Sequence, residues 1–256
     1  MEVFRFRHFS VSHAKSAMKV NTDAVLLGAS MTVRASDRLL LDIGTGTGTI
    51  ALMAAQRLAG LIPDGELSSV SIEAIDIDFD SAEEAGRNFA SSPWNCLMTA
   101  RHISLENYRK NLSCSGNECM YDLIFSNPPY FESSLKAPDM RRRTARHTDG
   151  MSYRDIMSFS SEWLSEKGRL AIILPADTER EVIRYAASWS LYPFRLLRVK
   201  SSPRHPVSRI IFEFSKGRDQ GSVVSPAGCQ VDNLTVRKEG GYSDEYRSLT
   251  SDFLFI

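Results

Sequence analysis

Asn127-Pro128-Pro129-Tyr130 is the stretch of this chain whose residue types most directly suggest chemistry. It follows an apolar run, Tyr121-Asp122-Leu123-Ile124-Phe125-Ser126, that reads as a buried strand. Two prolines then end the strand and fix the backbone beyond it. Asn127 therefore stands at the carboxyl end of a strand, where open α/β sheets place their ligands. Its side-chain carbonyl is one acceptor. The main-chain carbonyl of Pro128 is a second, and Tyr130 adds a flat face for stacking. Two acceptors and a stacking face suit a planar amine, either the exocyclic amino group of adenine or an amide nitrogen. The lone pair of such a nitrogen is delocalised, so it is a poor nucleophile. Accepting both N–H hydrogens localises that lone pair, and each such contact is worth roughly 10²–10³ in rate by analogy with oxyanion holes. The bland alternative is a proline-rich turn after a strand, and the four residues alone do not decide between the two.

A second constellation lies upstream. Leu39-Leu40-Leu41-Asp42-Ile43 reads as a strand, Gly44-Thr45-Gly46-Thr47-Gly48 follows directly, and a run of helix formers begins at Ile50. Strand, glycine loop and helix form a nucleotide cradle, in which glycines let the backbone approach the ligand. The dinucleotide fingerprint fails, because Thr49 stands where its third glycine belongs, and no P-loop lysine follows. The pattern present is Asp-x-Gly-x-Gly-x-Gly, which resembles the S-adenosylmethionine loop of class I methyltransferases. A third element is Asp76, at the tip of the strand Val70–Asp76, placed to accept ribose hydroxyls. Asp78 and Asp80 compete for that role but are expected to cap the next helix.

The elements needed to position these residues alternate. Strands are predicted near 39–43, 70–76, 97–102, 121–126, 169–174, 193–200 and 207–214. Helices are predicted near 22–31, 48–59, 79–91, 152–166, 178–190 and 244–253, with 111–120 as a surface loop. The alternation predicts an α/β, Rossmann-like fold with a mostly parallel, doubly wound sheet, and strands 193–200 and 207–214 as a late antiparallel hairpin. No low-complexity linker or internal repeat divides the chain. One domain over 1–256 is expected, with 1–36 as an N-terminal cap segment and 37–256 as the core and C-terminal extension. No apolar run is long enough to span a bilayer, and the start of the chain lacks a signal core, so a cytoplasmic protein is expected. The cysteines (Cys96, Cys114, Cys119, Cys229) and the five histidines have no ligand spacing, so no metal is expected.

Thirty-one basic residues balance 31 acidic ones, which gives no global argument for nucleic acid. Local charge differs. Arg141-Arg142-Arg143-Thr144-Ala145-Arg146-His147 holds four arginines and no acid just after the Asn-Pro-Pro-Tyr turn, and is a candidate for phosphate contacts. A second acid-free stretch, with Arg195, Arg198, Lys200, Arg204 and Arg209, fits phosphate contacts or an ordinary solvated face equally well.

The chain as a whole resembles the bacterial tRNA(Val) adenine N6-methyltransferase family. Beyond the motifs above, the resemblance rests on Phe9–His13, on Met18–Ala29 and on Tyr242–Thr250. It implies methylation of the adenine beside the anticodon, with S-adenosylmethionine as cofactor and the tRNA anticodon stem-loop as partner. It also implies that Asp42, Gly44, Gly46 and Gly48 hold the cofactor and Asp76 its ribose. Lys19, Thr22 and Asp23 would lie near its methionine end. Asn127 and Pro128 would accept the target amine, with Tyr130, beside Phe131, stacking on the base. Where many class I enzymes carry an acid facing the cofactor's adenine, this chain has Arg101-His102-Ile103-Ser104, which leaves His102 or a backbone amide for that contact. The rival readings are a protein glutamine N5-methyltransferase, a DNA adenine methyltransferase and a methyltransferase-like RNA-binding module. No obligatory protein partner, membrane or metal is expected.

Overall fold

The computed structural model describes residues 2–16, 18–114, 120–129, 151–216 and 228–256. The chain opens with a small antiparallel hairpin, β1 (Val3–Arg5) and β2 (Ser10–Ser12), and a helix, α1 (Thr22–Ser30). Asn21 caps α1 by accepting the Ala24 amide at 2.9 Å. The core then alternates β3 (Leu39–Ile43), α2 (Thr49–Leu61), the single turn α3 (Asp64–Leu67), β4 (Ser71–Asp76), α4 (Phe79–Ala90), β5 (Met98–His102), α5 (Leu105–Cys114) and β6 (Tyr121–Ser126). After 151 come α6 (Tyr153–Trp163), β7 (Leu164–Pro175), α7 (Glu179–Ser188), β8 (Leu191–Lys200) and β9 (Val207–Lys216). The chain closes with β10 (Gln230–Thr235), the short hairpin β11 (Arg237–Lys238) and β12 (Gly241–Tyr242), and α8 (Asp244–Thr250).

The main sheet has eight strands in the order β10-β8-β9-β7-β6-β3-β4-β5. Every neighbouring pair is parallel except the two that β9 makes with β7 and β8. The expected doubly wound sheet and late antiparallel hairpin are therefore both present. The chain winds outward in both directions from β3, so the switch point lies between β3 and β6. The glycine loop after β3 and the Asn127 turn after β6 meet at that crevice.

The central strands are apolar on both sides because both faces of the sheet are covered. One face packs on α1, α2 and α4, where Phe6, Phe9 and Val11 of the N-terminal segment join Leu40, Leu52 and Leu123 in one cluster. The other packs on α5, α6 and α7 through residues such as Tyr108, Phe159 and Val182.

Three predicted boundaries change. The helix expected over 152–166 stops at Trp163, and Leu164 already pairs with Tyr121 as the start of β7. Between Tyr121↔Leu164 and Leu123↔Arg169 the register shifts, and Gly168 fills the bulge. A Cβ at Gly168 would lie 2.6 Å from the Tyr121 carbonyl oxygen, so only glycine fits. The loop expected over 111–120 is still helical as far as Cys114. Beyond the predicted elements, β10 adds an edge strand parallel to β8.

Candidate functional site

The glycine loop is held by its neighbours on both sides. The Gly44 and Thr45 amides donate to the Ile75 carbonyl at 2.9 and 3.0 Å, and the Gly46 amide donates to Asp76 Oδ2 at 2.8 Å. Gly44, Gly46 and Gly48 have φ of +73°, +55° and +79°, a region in which other residues are strained. A Cβ on Gly48 would strike the Phe89 ring at 2.4 Å, whereas one on Gly46 would meet nothing within 4 Å. The loop is thus packed tight at Gly48 and open at Gly46. Gly48 also starts α2 without a side-chain cap of its own.

Two acids frame the loop from below. Asp42 is fully buried, and its Oδ2 accepts the Thr45 hydroxyl at 2.7 Å while Oδ1 has no hydrogen-bond partner. Burial first, and then the charge of Asp76, push its pKa up to about 7, against the opposing Thr45 hydroxyl and Ala51 amide. Asp76 is half-buried, and burial raises its pKa despite the Asp78 and Gly46 amides that favour its charged form. An orphaned buried carboxylate oxygen beside an open glycine turn suits a ligand that carries positive charge and hydroxyls. Asp78 caps α4 as expected by accepting the Ser81 amide at 2.9 Å, whereas Asp80 lies inside the first turn and is not the cap.

Asn127 enters the same cleft from β6. Ser126, just before it, donates its hydroxyl to the Ile43 carbonyl at 2.6 Å and so ties the tips of β6 and β3 together. Asn127 is 7% exposed and lines a cleft with Gly44–Thr47, Thr49 and Ile50. Pro128 is buried and Pro129 exposed. Tyr130, Phe131, Arg141, Arg142, Arg143, Arg146 and His147 lie outside the described residues.

The opposite wall of the cleft comes from the N-terminal segment, through Met18, Lys19, Asn21 and Ala24. The Lys19 ammonium pairs with Glu2. Thr22 and Asp23 form the first turn of α1, and Asp23 pairs with Arg209 of β9 at 2.9 Å. Two residues that the sequence pattern does not reveal fix this wall. Glu84 on α4 is 2% exposed and accepts the Ser16 hydroxyl at 2.6 Å and the Ser16 and Ala14 amides at 2.8 and 2.9 Å. Burial alone would raise its pKa, but these bonds together with the Lys15 amide hold it below the ordinary carboxylate range. Asn88, one turn further, accepts the Ser12 amide at 2.9 Å and donates to the Ser12 and Thr47 carbonyls, both at 2.9 Å. It therefore joins the N-terminal strand to the glycine loop.

The far end of α1 is tied down by arginines from elsewhere. Arg57 donates to the Gly28 and Met31 carbonyls at 3.1 and 2.6 Å, Arg195 to Ser30 at 2.7 Å, and Arg169 to Thr32 at 3.1 Å. Arg169 pairs with the equally buried Asp37 at 2.7 Å, and Arg195 with Glu213 at 2.7 Å and Asp232 at 3.1 Å. Arg198 pairs with Glu179 at 2.6 Å. Arg195, Arg198 and Arg209 of the second basic stretch are thus ties within the fold, and neither a free phosphate-binding face nor a merely solvated one describes them.

Beside Asp76, Ile77 and Phe79 are 60% and 57% exposed, and His102 meets the Phe79 ring edge-on at 5.4 Å. His102 Nε2 lies 3.0 Å from the Ile77 carbonyl. This apolar shelf is written in the sequence as apolar residues that continue beyond the strand tip, Ile77 and Phe79 between acids.

A doubly wound sheet with a glycine loop after β3 and an acid at the tip of β4 is the fold of class I methyltransferases. Its solved relatives by fold agree. A protein from Agrobacterium tumefaciens described as a predicted O-methyltransferase superposes with a TM-score of 0.63 at 16% identity, covering 90% of this chain and 96% of that one. An S-adenosylmethionine-dependent O-methyltransferase from Thermotoga maritima gives 0.52 at 16% identity, over 80% and 69% of the two chains. No protein-family model matches the chain. Curated proteins are much nearer in sequence. A tRNA1(Val) (adenine(37)-N6)-methyltransferase from Bacteroides fragilis is 39% identical over 251 residues, 98% of this chain and 96% of its own length. The proteins of that name from Parabacteroides distasonis and Flavobacterium johnsoniae are 39% and 36% identical, each over 98% of this chain. The chain belongs to the tRNA1(Val) (adenine(37)-N6)-methyltransferase family.

Proposed function

We infer that this protein transfers a methyl group from S-adenosylmethionine to N6 of the adenine next to the anticodon of tRNA(Val). The observation that carries the reading is the meeting of Asn127 with the Gly44–Thr49 loop in one cleft at the switch point. In this reading Asp42, Gly44, Gly46 and Gly48 hold the cofactor, Asp76 takes its ribose hydroxyls, and Lys19, Thr22 and Asp23 lie toward its methionine end. The open side of Gly46 and the unpartnered Oδ1 of Asp42 fit such a ligand. Ile77 and Phe79 offer the apolar surface that a purine needs. The cofactor supplies an electrophilic methyl group on a cationic sulfur.

The chain's own part is recognition and positioning. An anticodon-loop adenine is already unpaired or nearly so, and splaying it outward costs little. Tyr130 stacks on the base, and the side-chain carbonyl of Asn127 and the main-chain carbonyl of Pro128 accept the two N6 hydrogens. That arrangement frees the nitrogen lone pair only when the base is correctly seated, so it favours the transition state over the bound substrate. The proton leaves after attack, so no strong general base is required. Arg141, Arg142, Arg143 and Arg146 follow the turn closely and provide phosphate contacts. A tRNA substrate also places the working compartment in the cytoplasm.

The test is methyl transfer from labelled S-adenosylmethionine to unmodified tRNA(Val), to a release factor and to duplex DNA in separate reactions, with products identified by mass spectrometry. N6-methyladenine in the tRNA alone is expected. Methylglutamine in the release factor would move the chain to protein modification, and no product together with no cofactor binding would leave an RNA-binding module.

A further inference from the structure

The carboxyl ends of β8 and β10 lie on the same edge of the sheet as the site. β7 is parallel to β6, β9 runs opposite to both β7 and β8, and β10 is parallel to β8. The β8–β9 connection (201–206) and the β11–β12 hairpin therefore lie along the same edge as the cleft. They are also one unit. The Val236 and Arg237 amides donate to the Lys200 and Ser201 carbonyls at 2.9 and 3.0 Å, so the strand leaving β10 carries its pairing past the end of β8. Ser243 is buried and bonds back to Thr235 and Val236, which pins the base of the β11–β12 hairpin. Gly240, with φ of +87°, makes the tight turn.

This ledge presents cations, one of them backed by a half-buried aromatic ring. The Arg237 guanidinium lies 5.0 Å from the Tyr242 ring centroid, and Tyr242 stacks on the buried Tyr246 at 5.0 Å. Arg204 is exposed and makes no ion pair among the described residues, in contrast to Arg195, Arg198 and Arg209 of the same stretch. Lys200 ends β8, and His205 follows Arg204 in the same connection. The nearby acids are Glu239 at the turn tip and Asp244 and Glu245 on α8, and Lys238 already engages Asp244 at 2.5 Å. β10 stands four strands from β6, about 19 Å at the usual strand spacing. That reach exceeds one nucleoside and fits a folded nucleic acid.

We propose that Lys200, Arg204 and Arg237, with Tyr242 behind Arg237, form a second docking surface for the RNA substrate, with the cations on phosphates and the Arg237 guanidinium, backed by the Tyr242 ring, against an unpaired base or sugar face. An arginine backed by a tyrosine ring on a hairpin, beside cations that make no ion pair among the described residues, supplies the elements of a single-strand platform. The proposal rests on the tRNA reading above.

The test compares the unaltered protein with the Arg204→Glu/Arg237→Glu double variant for binding of unmodified tRNA(Val) across a salt series. S-adenosylmethionine calorimetry serves as the control for folding. Affinity for tRNA is expected to fall about tenfold or more, and the slope of log affinity against log salt to become shallower by about one to two, with cofactor affinity unchanged. Tyr242→Leu should weaken tRNA binding with the slope preserved. If the double variant loses cofactor binding, Arg204→Glu alone decides, because its side chain is exposed and outside every ion pair described. Unchanged tRNA affinity and slope in a variant that binds cofactor would overturn the ledge alone. Absence of tRNA binding by the unaltered protein would overturn the ledge and the tRNA reading together.

Discussion

Glu84 receives both the hydroxyl and the amide of Ser16, at 2.6 and 2.8 Å, from a segment 68 residues away. Through this acceptor α4 holds the strap that ends in Met18 and Lys19, which form one wall of the cleft. The hydrogen bonds of Glu84 go to Ser12, Ala14, Lys15 and Ser16, none of which lines the cleft, so it acts as a positioning residue. Glu84→Gln replaces one acceptor oxygen with a donor that faces other donors. It should cost about 3 kcal/mol in stability, since hydrogen bonds to a charged group are the strong ones. It should also raise KM for S-adenosylmethionine several-fold while kcat at saturation changes little. Urea unfolding and initial-rate kinetics check this. A variant that is less stable but keeps the original KM would confine Glu84 to the scaffold.

The fold was legible wherever local pattern and burial agree. Tyr121–Ser126 and Leu39–Ile43 are apolar on both sides because the sheet is covered on both faces, and the observed strands keep those bounds. The convergence of Asn127 with the glycine loop follows from the adjacency of β6 and β3, a strand order that alternation does not specify. α5 escaped notice because Tyr108 is its single buried residue, so no apolar stripe marks it. β10 escaped because an edge strand with only Leu234 buried has no alternation to read. The roles of Glu84, Asn88 and the paired arginines were invisible for another reason. Their partners are backbone groups or acids far away in sequence, and an acid or arginine on an amphipathic element looks solvated until the tertiary partner is placed.

Asn127→Ala removes the side-chain acceptor proposed for the target amine and leaves the glycine loop and both acids in place. Turnover on tRNA should drop by about 10²–10³, the size of a lost transition-state hydrogen bond in a desolvated site. Cofactor affinity by calorimetry should stay within about twofold. A matching loss of cofactor binding would make Asn127 part of the cofactor site.

Gly48 and Gly46 separate packing from ligand space. Both have positive φ, which costs an alanine roughly 1–2 kcal/mol. At Gly48 the added Cβ also meets Phe89 at 2.4 Å, so Gly48→Ala should lose a further 1–3 kcal/mol or so through overpacking. At Gly46 nothing lies within 4 Å, so Gly46→Ala should be nearly as stable as the backbone strain allows. Its methyl group would instead project into the open side, and cofactor affinity should fall tenfold or so. Thermal unfolding and calorimetry on the two variants should rank them in opposite orders, and the same order in both would remove the distinction.

Asp42 makes the stability of the protein depend on pH in a direction opposite to that of an ion-paired carboxylate. Its pKa is 3.8 in the reference state and about 7 in the folded protein. Below about pH 4 both states hold the proton and the group contributes no pH dependence. As pH rises from 4 toward 7 the unfolded chain has already released the proton while the folded one keeps it, so stability falls by about 1.4 kcal/mol per pH unit. Above about 7 both states are ionised and the loss levels off. Asp42→Asn, which carries no titrating proton, should therefore gain stability relative to the unaltered protein between pH 5 and 7 and hold that gain at pH 8. A cationic cofactor beside Asp42 favours the ionised form, so affinity for S-adenosylmethionine should rise from pH 6 to 8 in the unaltered protein and rise less in the variant, where Asp76 still titrates. Denaturation curves at four pH values and calorimetry at two measure both effects. Parallel stability profiles for the two proteins would mean that Asp42 titrates in the folded state as an ordinary carboxylate.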